Sequence, residues 1–200
     1  MSKNCPAVNI YDSLIHCKGE TVLPGLRPRA WWIPKSQIVS WPTLAKPSDA
    51  DATMESIATY KGNFTIAADA KWLAIDLLDT ASNITSASQG EKPSKTFLNS
   101  ATLKYAGNNE AATGFARMAN TDDGVYVVQQ RDGKFRVIGN EMFETNTNPG
   151  QDSGMAVTDA SGTTLEISVT DICPAPFYAG TLKIAEGTLD CTDGTIEAAA

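Results

Sequence analysis

His16 is the single histidine in a chain of 200 residues. A Ser–His–Asp arrangement would have to use it, and a multi-histidine metal centre has no ligands to draw on. Its neighbour is Cys17, and adjacent side chains on an extended segment face opposite sides, which disfavours a Cys–His nucleophile pair. Cys5, His16 and Cys17 together do not have a zinc spacing. Cys173 and Cys191 lie near the other end of the chain. Four cysteines allow two disulfides in three pairings, but residues 1–6 lack the apolar core of a secretory leader, so free structural thiols are expected.

Carboxylates come in two close pairs, Asp76 with Asp79 and Asp122 with Asp123, and in a looser set at Asp49, Asp51 and Glu55. A glycosidase-like pair would draw on Asp76 or Glu166. Asp122 and Asp123 instead precede Gly124 and read as a turn, and the 49–55 set lacks the glycine and spacing of a calcium loop. The stretches 19–25 and 150–154 have neither the Gly-Lys-Ser/Thr ending of a phosphate loop nor a strand-to-helix context. Trp31, Trp32, Trp41 and Trp72 are able to stack on sugars or unpaired bases. Three of them lie in the N-terminal third, where irregular chain must be pinned, so core or subunit interface is the expected use. No catalytic, cofactor-binding or metal-binding residue is assigned, and enzymatic activity is not expected.

Apolar residues make up 42% and charged residues 20% of the chain, values of a globular domain. The net charge is −7 and no basic stripe is visible, since Arg27, Arg29 and Arg131 are too sparse, so tight nucleic-acid binding is not expected. No apolar run approaches the ~20 residues needed to cross a bilayer. Without a leader, residence in a cytoplasm is expected.

The elements that must position these residues are mostly strands. Residues 96–105 alternate, with Phe97, Ala101, Leu103 and Tyr105 on one face. Asn108 or Asn109 offers a cap for a short helix over 109–120, with Glu110 in its first turn and Ala111, Phe115 and Met118 as its apolar stripe. Residues 125–130 and 134–138 flank Asp132-Gly133, whose positive φ angles suit a tight hairpin. A second hairpin is expected over Tyr60–Leu78 and a third over 155–170, with Leu165, Ile167 and Val169 inward; a last strand spans 177–184. Segments 79–95 and 145–154, rich in Ser, Thr, Asn and Gly, read as long exposed loops, and the length of the first marks it as a functional loop or an interaction arm. The expected organisation is an N-terminal loop-rich arm over 1–28, a β domain over 29–185 and a C-terminal tail over 186–200. The fold class is mainly β, an antiparallel sandwich or barrel-like domain with one flanking helix.

Several segments carry a resemblance. Leu23-Pro24-Gly25-Leu26-Arg27 leads to Trp31-Trp32-Ile33-Pro34-Lys35-Ser36-Gln37-Ile38 and Trp41-Pro42. Gly62-Asn63-Phe64, Lys71-Trp72 and Gln89-Gly90-Glu91 follow, then Gly114-Phe115-Ala116 and Asp132-Gly133. Arg136-Val137-Ile138-Gly139, Thr158-Asp159, Gly162-Thr163 and Pro174-Ala175-Pro176-Phe177-Tyr178 complete the series. This order, over residues 20–180, resembles major tail tube proteins of prophages in Bacteroides and related bacteria. The resemblance implies a structural virion protein, assembled in the bacterial cytoplasm. Its subunits would form homomeric rings, usually hexameric, that stack as a tube and meet other tail proteins. The alternative from a different class is a carbohydrate- or ligand-binding β domain that uses exposed tryptophans.

Overall fold

The computed structural model describes residues 9–78, 80–156 and 158–198. In chain order the elements are β1 (Leu26–Pro34), β2 (Ile38–Ser40), β3 (Thr59–Tyr60), β4 (Thr65–Ile66), β5 (Leu73–Asp76), β6 (Asn83–Gln89) and β7 (Thr96–Ala106). The helix α1 (Glu110–Ala119) follows, then β8 (Gly124–Gln130), β9 (Phe135–Ile138), β10 (Asn146–Asp152) and β11 (Gly162–Asp171). β12 (Phe177–Tyr178), β13 (Thr181–Ile184), β14 (Gly187–Asp190) and β15 (Ile196–Ala198) complete the chain. Among the described residues the fold is mainly β with one helix and several antiparallel sheets, a sandwich-like domain in which no barrel closes.

A six-stranded sheet, ordered β3-β12-β9-β8-β1-β5, forms the middle layer. Its spine is β8, where Val125, Tyr126, Val127 and Val128 are all 0% exposed. Four consecutive buried residues leave a strand no wet face, so both faces must be covered. On one face Trp31, Ile33, Val125, Val127, Phe135 and Val137 pack with Trp72, Leu182 and Leu189 over the small β13-β14-β15 sheet. On the other, Ala30, Trp32, Tyr126, Val128 and Ile138 pack on Ala101, Leu103, Leu165, Ile167 and Val169 of a four-stranded sheet, β10-β11-β7-β6. Register explains the division: Trp31 lies opposite Val127 and Ile33 opposite Val125, while Trp32 lies opposite Tyr126.

Helix α1 starts where Asn109 Oδ1 accepts a hydrogen bond from Ala112 N at 2.9 Å. It lies beside β10 and β11 and sets Phe115 edge-on against Trp32, with ring centroids 5.1 Å apart. Its covered face differs from the expected stripe. Ala116 and Ala119 are buried and Phe115 half-buried, while Ala111 is exposed and Met118 is 56% exposed. The small alanine side chains let the helix backbone lie close to the sheet, which turns Met118 outward.

Other expectations are corrected. Tyr60–Leu78 is not a hairpin: β3 pairs in parallel with β12, β4 pairs with β2, and β5 pairs with β1. Phe64 and Trp72 are drawn together in the first core, ring centroids 5.3 Å apart, and burying two large rings outweighs local alternation. Segments 79–95 and 145–154 are not loops but carry β6 and β10, the two outer strands of the four-stranded sheet. Their polar composition reflects exposure rather than irregular backbone. Residues 155–156 lie in a bend instead of a strand, and Val157 lies outside the described residues. The last expected strand, 177–184, is broken at Gly180, where a Cβ would fall 2.3 Å from Asn63 Oδ1. Ordered structure also exceeds the expected 29–185 limits: β1 starts at Leu26, and β14 and β15 continue the fold, with Leu189 and Cys191 in the first core.

Leu103, fully buried between the two larger sheets, is expected to cost about 2–5 kcal/mol on Leu103→Ala, whereas Met118→Ala should stay within about 0.5 kcal/mol. Urea unfolding of the two variants checks the layer assignment; similar losses for both would contradict it.

Candidate assembly surface

The structure disperses the groups that sequence reasoning weighed for chemistry. His16 is exposed and reaches Glu20 at 3.9 Å. Cys17 is exposed, Cys173 and Cys191 are buried free thiols, and Cys5 lies outside the described residues. Burial pushes both inner thiols up, Cys173 to about 11, which makes them poor nucleophiles. Asp76 is mostly exposed and bonds Arg29 at 3.0 Å, while its expected partner Asp79 lies outside the described residues. Asp123 is structural: it pairs with Lys35 at 2.8 Å and accepts from Thr145 N at 2.8 Å, tying β1, β8 and the approach to β10 at one end. Asp49 accepts from Lys46 N and closes a turn, and Glu166 is exposed on β11. Among the described residues no group of three or more His, Cys, Asp or Glu side chains could hold a metal ion. No helix among them is long and apolar enough to cross a membrane.

The tryptophans are inside. Trp31, Trp32 and Trp72 are buried, and Trp41 is half-buried with its ring edge-on to Phe64 at 5.5 Å. None of the three buried rings offers a face to a sugar or a base, so the ligand-binding alternative loses its platform.

One buried ionisable group stands out. Asp171, at the end of β11, is 1% exposed; its Oδ1 accepts from Ile172 N at 2.6 Å, and its Oδ2 has no hydrogen-bond partner among the described residues. Burial raises its pKa above the ordinary carboxylate range, against the hydrogen bonds from Asn140 and the 172–173 backbone that lower it. Tyr60 and Cys173 face it, with Glu141 close to Tyr60, and burial raises the first two as well.

What the surface does offer is strand edge. The six-stranded sheet ends in strands of two and four residues, β3 and β5. The four-stranded sheet ends in two strands of seven, β6 and β10. β6 reads Asn-Ile-Thr-Ser-Ala-Ser-Gln: it has no charge, no proline and no glycine, the residues by which edges are blunted. Its inner side is firmly held. Ser86 Oγ donates to Asn99 Oδ1 at 2.7 Å, and Asn99 Nδ2 donates to Cys173 O at 2.9 Å. Gln89 Nε2 donates to Thr170 Oγ1 at 2.9 Å and to Thr96 Oγ1 at 3.2 Å, so a polar ladder runs from β6 across β7 to β11. A rigid strand with one unpaired side is a ready template for another strand. β10 is guarded more: Pro149 lacks an N–H, and Gln151 is engaged with Thr113 of α1 at 3.2 Å and Thr163 at 3.0 Å.

The outer face of this sheet is hydroxyl-rich. Leu103 and Leu165 point inward, so Ser100, Thr102, Thr164, Ser168 and Thr170 point out, with Lys104 and Glu166 as the charges on that face of the two central strands. Sequence reasoning marked 79–95 as an interaction arm but read it as a loop and placed edge pairing on Tyr60–Leu78. That 83–89 is itself an open strand edge was missed, because an open edge is a property of pairing and not of residue type. Comparison with known proteins found no matching family model, no matching curated protein and no matching solved structure.

Asp171 generates a pH prediction. The fold favours its neutral form, so its contribution to stability is present at low pH and is lost as pH rises through its raised folded value. Urea unfolding of parent and Asp171→Asn at pH ~4 and ~7 should show the parent losing ground to the variant at the higher pH. Parallel pH dependences would contradict this.

Proposed function

We propose that the protein is a structural subunit that assembles with copies of itself, β6 of one copy pairing with β10 of the next. The observation that supports this most is the uncharged, unpaired seven-residue edge of β6 on a sheet whose opposite edge is of the same length. Because the two edges differ, the contact is head-to-tail, and such contacts close into rings when the rotation allows. Each junction would extend the four-stranded sheet into the neighbour's, and backbone hydrogen bonds would supply much of the affinity.

Within that class, the segment order that resembles prophage tail tube proteins favours a ring that stacks into a tube, a component of a virion. In this reading the hydroxyl-rich face of β7 and β11 lines the channel. A wall of Ser and Thr with few charges and no basic row gives DNA phosphates little to hold, and the net charge of −7 adds weak repulsion. Catalytic groups are not needed for this role, and packing and edges do the work.

The test is a double substitution, Thr85→Lys with Ala87→Lys, which places charge on the exposed edge without touching either core. Light scattering should report assembly in the parent and monomers in the variant, with the thermal midpoint of the subunit lowered by no more than a few degrees. Equal assembly by the two proteins would remove β6 from the mechanism.

A further inference from the structure

The residues ahead of β1 do not behave as a covered part of the domain. Tyr11 is 90%, Leu14 93% and Ile15 80% exposed, and Val22 and Leu23 are exposed as well. Hydrogen bonds from this segment to the body are sparse. Asp12 N approaches Met54 Sδ at 3.5 Å, and Arg131 N donates to Gly25 O at 3.2 Å. Large apolar side chains held in water over so short a stretch mark a contact surface rather than ordinary exposure.

Close to this segment the first core is incompletely closed. A pocket of about 500 Å³ opens between the turn residues 54–58, the start of β9 and β12, and its floor includes Phe135, Tyr178 and Cys191, all members of that core. Lys134 and Glu55 stand among its lining residues. Leu14 of the same chain stands at the lining yet keeps nearly all of its surface exposed, so the arm touches the pocket without filling it.

We propose that residues 11–15 of one copy seat in this pocket of a neighbouring copy. The proposal rests on the assembly reading above and adds to it a second contact, made by the arm. Chain length permits the reach. Between Leu14 and the anchor at Gly25 an extended backbone spans about 35–40 Å, roughly twice the ~16 Å radius of gyration expected for a domain of this size. Chemistry matches as well: Leu14 and Ile15 are aliphatic and the floor is apolar, while Asp12 of the arm can meet Lys134 at the pocket of the receiving copy. Exchange of such a segment between identical copies costs little, because the contact is one that each copy carries both halves of.

A mixed cross-linking experiment on the full chain tests this. Both forms carry Cys5→Ser and Cys17→Ser; the donor adds Leu14→Cys, and the isotope-labelled acceptor adds Ala58→Cys. A third chain carries Leu14→Cys and Ala58→Cys together. Under mild oxidation of the assembled mixture, a disulfide joining labelled to unlabelled chain is expected. Ile15→Asp in the donor should reduce its yield at least tenfold. Particles that form without this inter-copy disulfide, or a disulfide closing within single copies of the third chain, would overturn the arm contact alone. Failure of the unsubstituted protein to form particles at all would overturn the assembly reading and the arm contact with it.

Discussion

The constraint on which the rest of the structure depends is the double burial of β8 and its neighbour β1. Val125 to Val128 have no wet face, and Trp31 and Trp32 extend to opposite sides of the same sheet. A sheet with two apolar faces cannot stand as half of a simple sandwich, so the chain supplies a cover for each. The C-terminal strands close one side with Leu182 and Leu189, and the four-stranded sheet closes the other with Leu103 and Leu165. Gly124 shows how tight the fit is, since a Cβ there would lie 2.1 Å from Trp32 Nε1. At roughly 25 cal/mol per Å² of apolar surface, this two-sided burial is the dominant stabilising term of the fold.

Covering that sheet has a consequence at the surface. The four-stranded layer needs only its inner face for packing, so its outer face and the unpaired edge of β6 are left to water, while β10 buries Thr147 and lies beside α1. Evolution of a monomer would blunt such an edge with charge, proline or a bulge. β10 carries one of these devices in Pro149, and β6 carries none, although its position is fixed by the Ser86–Asn99 and Gln89–Thr170 hydrogen bonds. An edge that is both held in place and left open is suited to pairing with another chain. The exposed aliphatic side chains of residues 11–15 suggest the same conclusion from an independent part of the molecule.

Much of the fold was legible in the sequence where the signal is local. β7, β8, β9 and β11 follow from alternation and from the Asp132-Gly133 turn, and α1 from its Asn109 cap, because each depends on residues within one turn or one hairpin. The stripe of α1 was misread by one position because Ala112, Ala116 and Ala119 give a weak hydrophobic signal beside Met118. β6 and β10 were read as loops because Ser, Thr and Asn dominate them. The available cue was that 83–89 contains no Gly or Pro, while the break residues Gly90 and Pro93 follow at once. The strands after Pro176 and the split of 59–78 among three partners depend on distant pairings that no local pattern encodes. The candidate surface was legible only as a segment: the length and polarity of 79–95 marked an interaction arm, but an unpaired edge exists only once the sheet order is known.

The most direct test of assembly through β6 is hydrogen–deuterium exchange of its amides across a protein concentration series, read beside the particle mass from light scattering. The account predicts that amides within 83–89 which exchange freely in dilute solution become protected in step with the rise in mass, as those of β10 do. Exchange at β6 that stays fast while mass rises, or mass that stays at one subunit at every concentration, would contradict it.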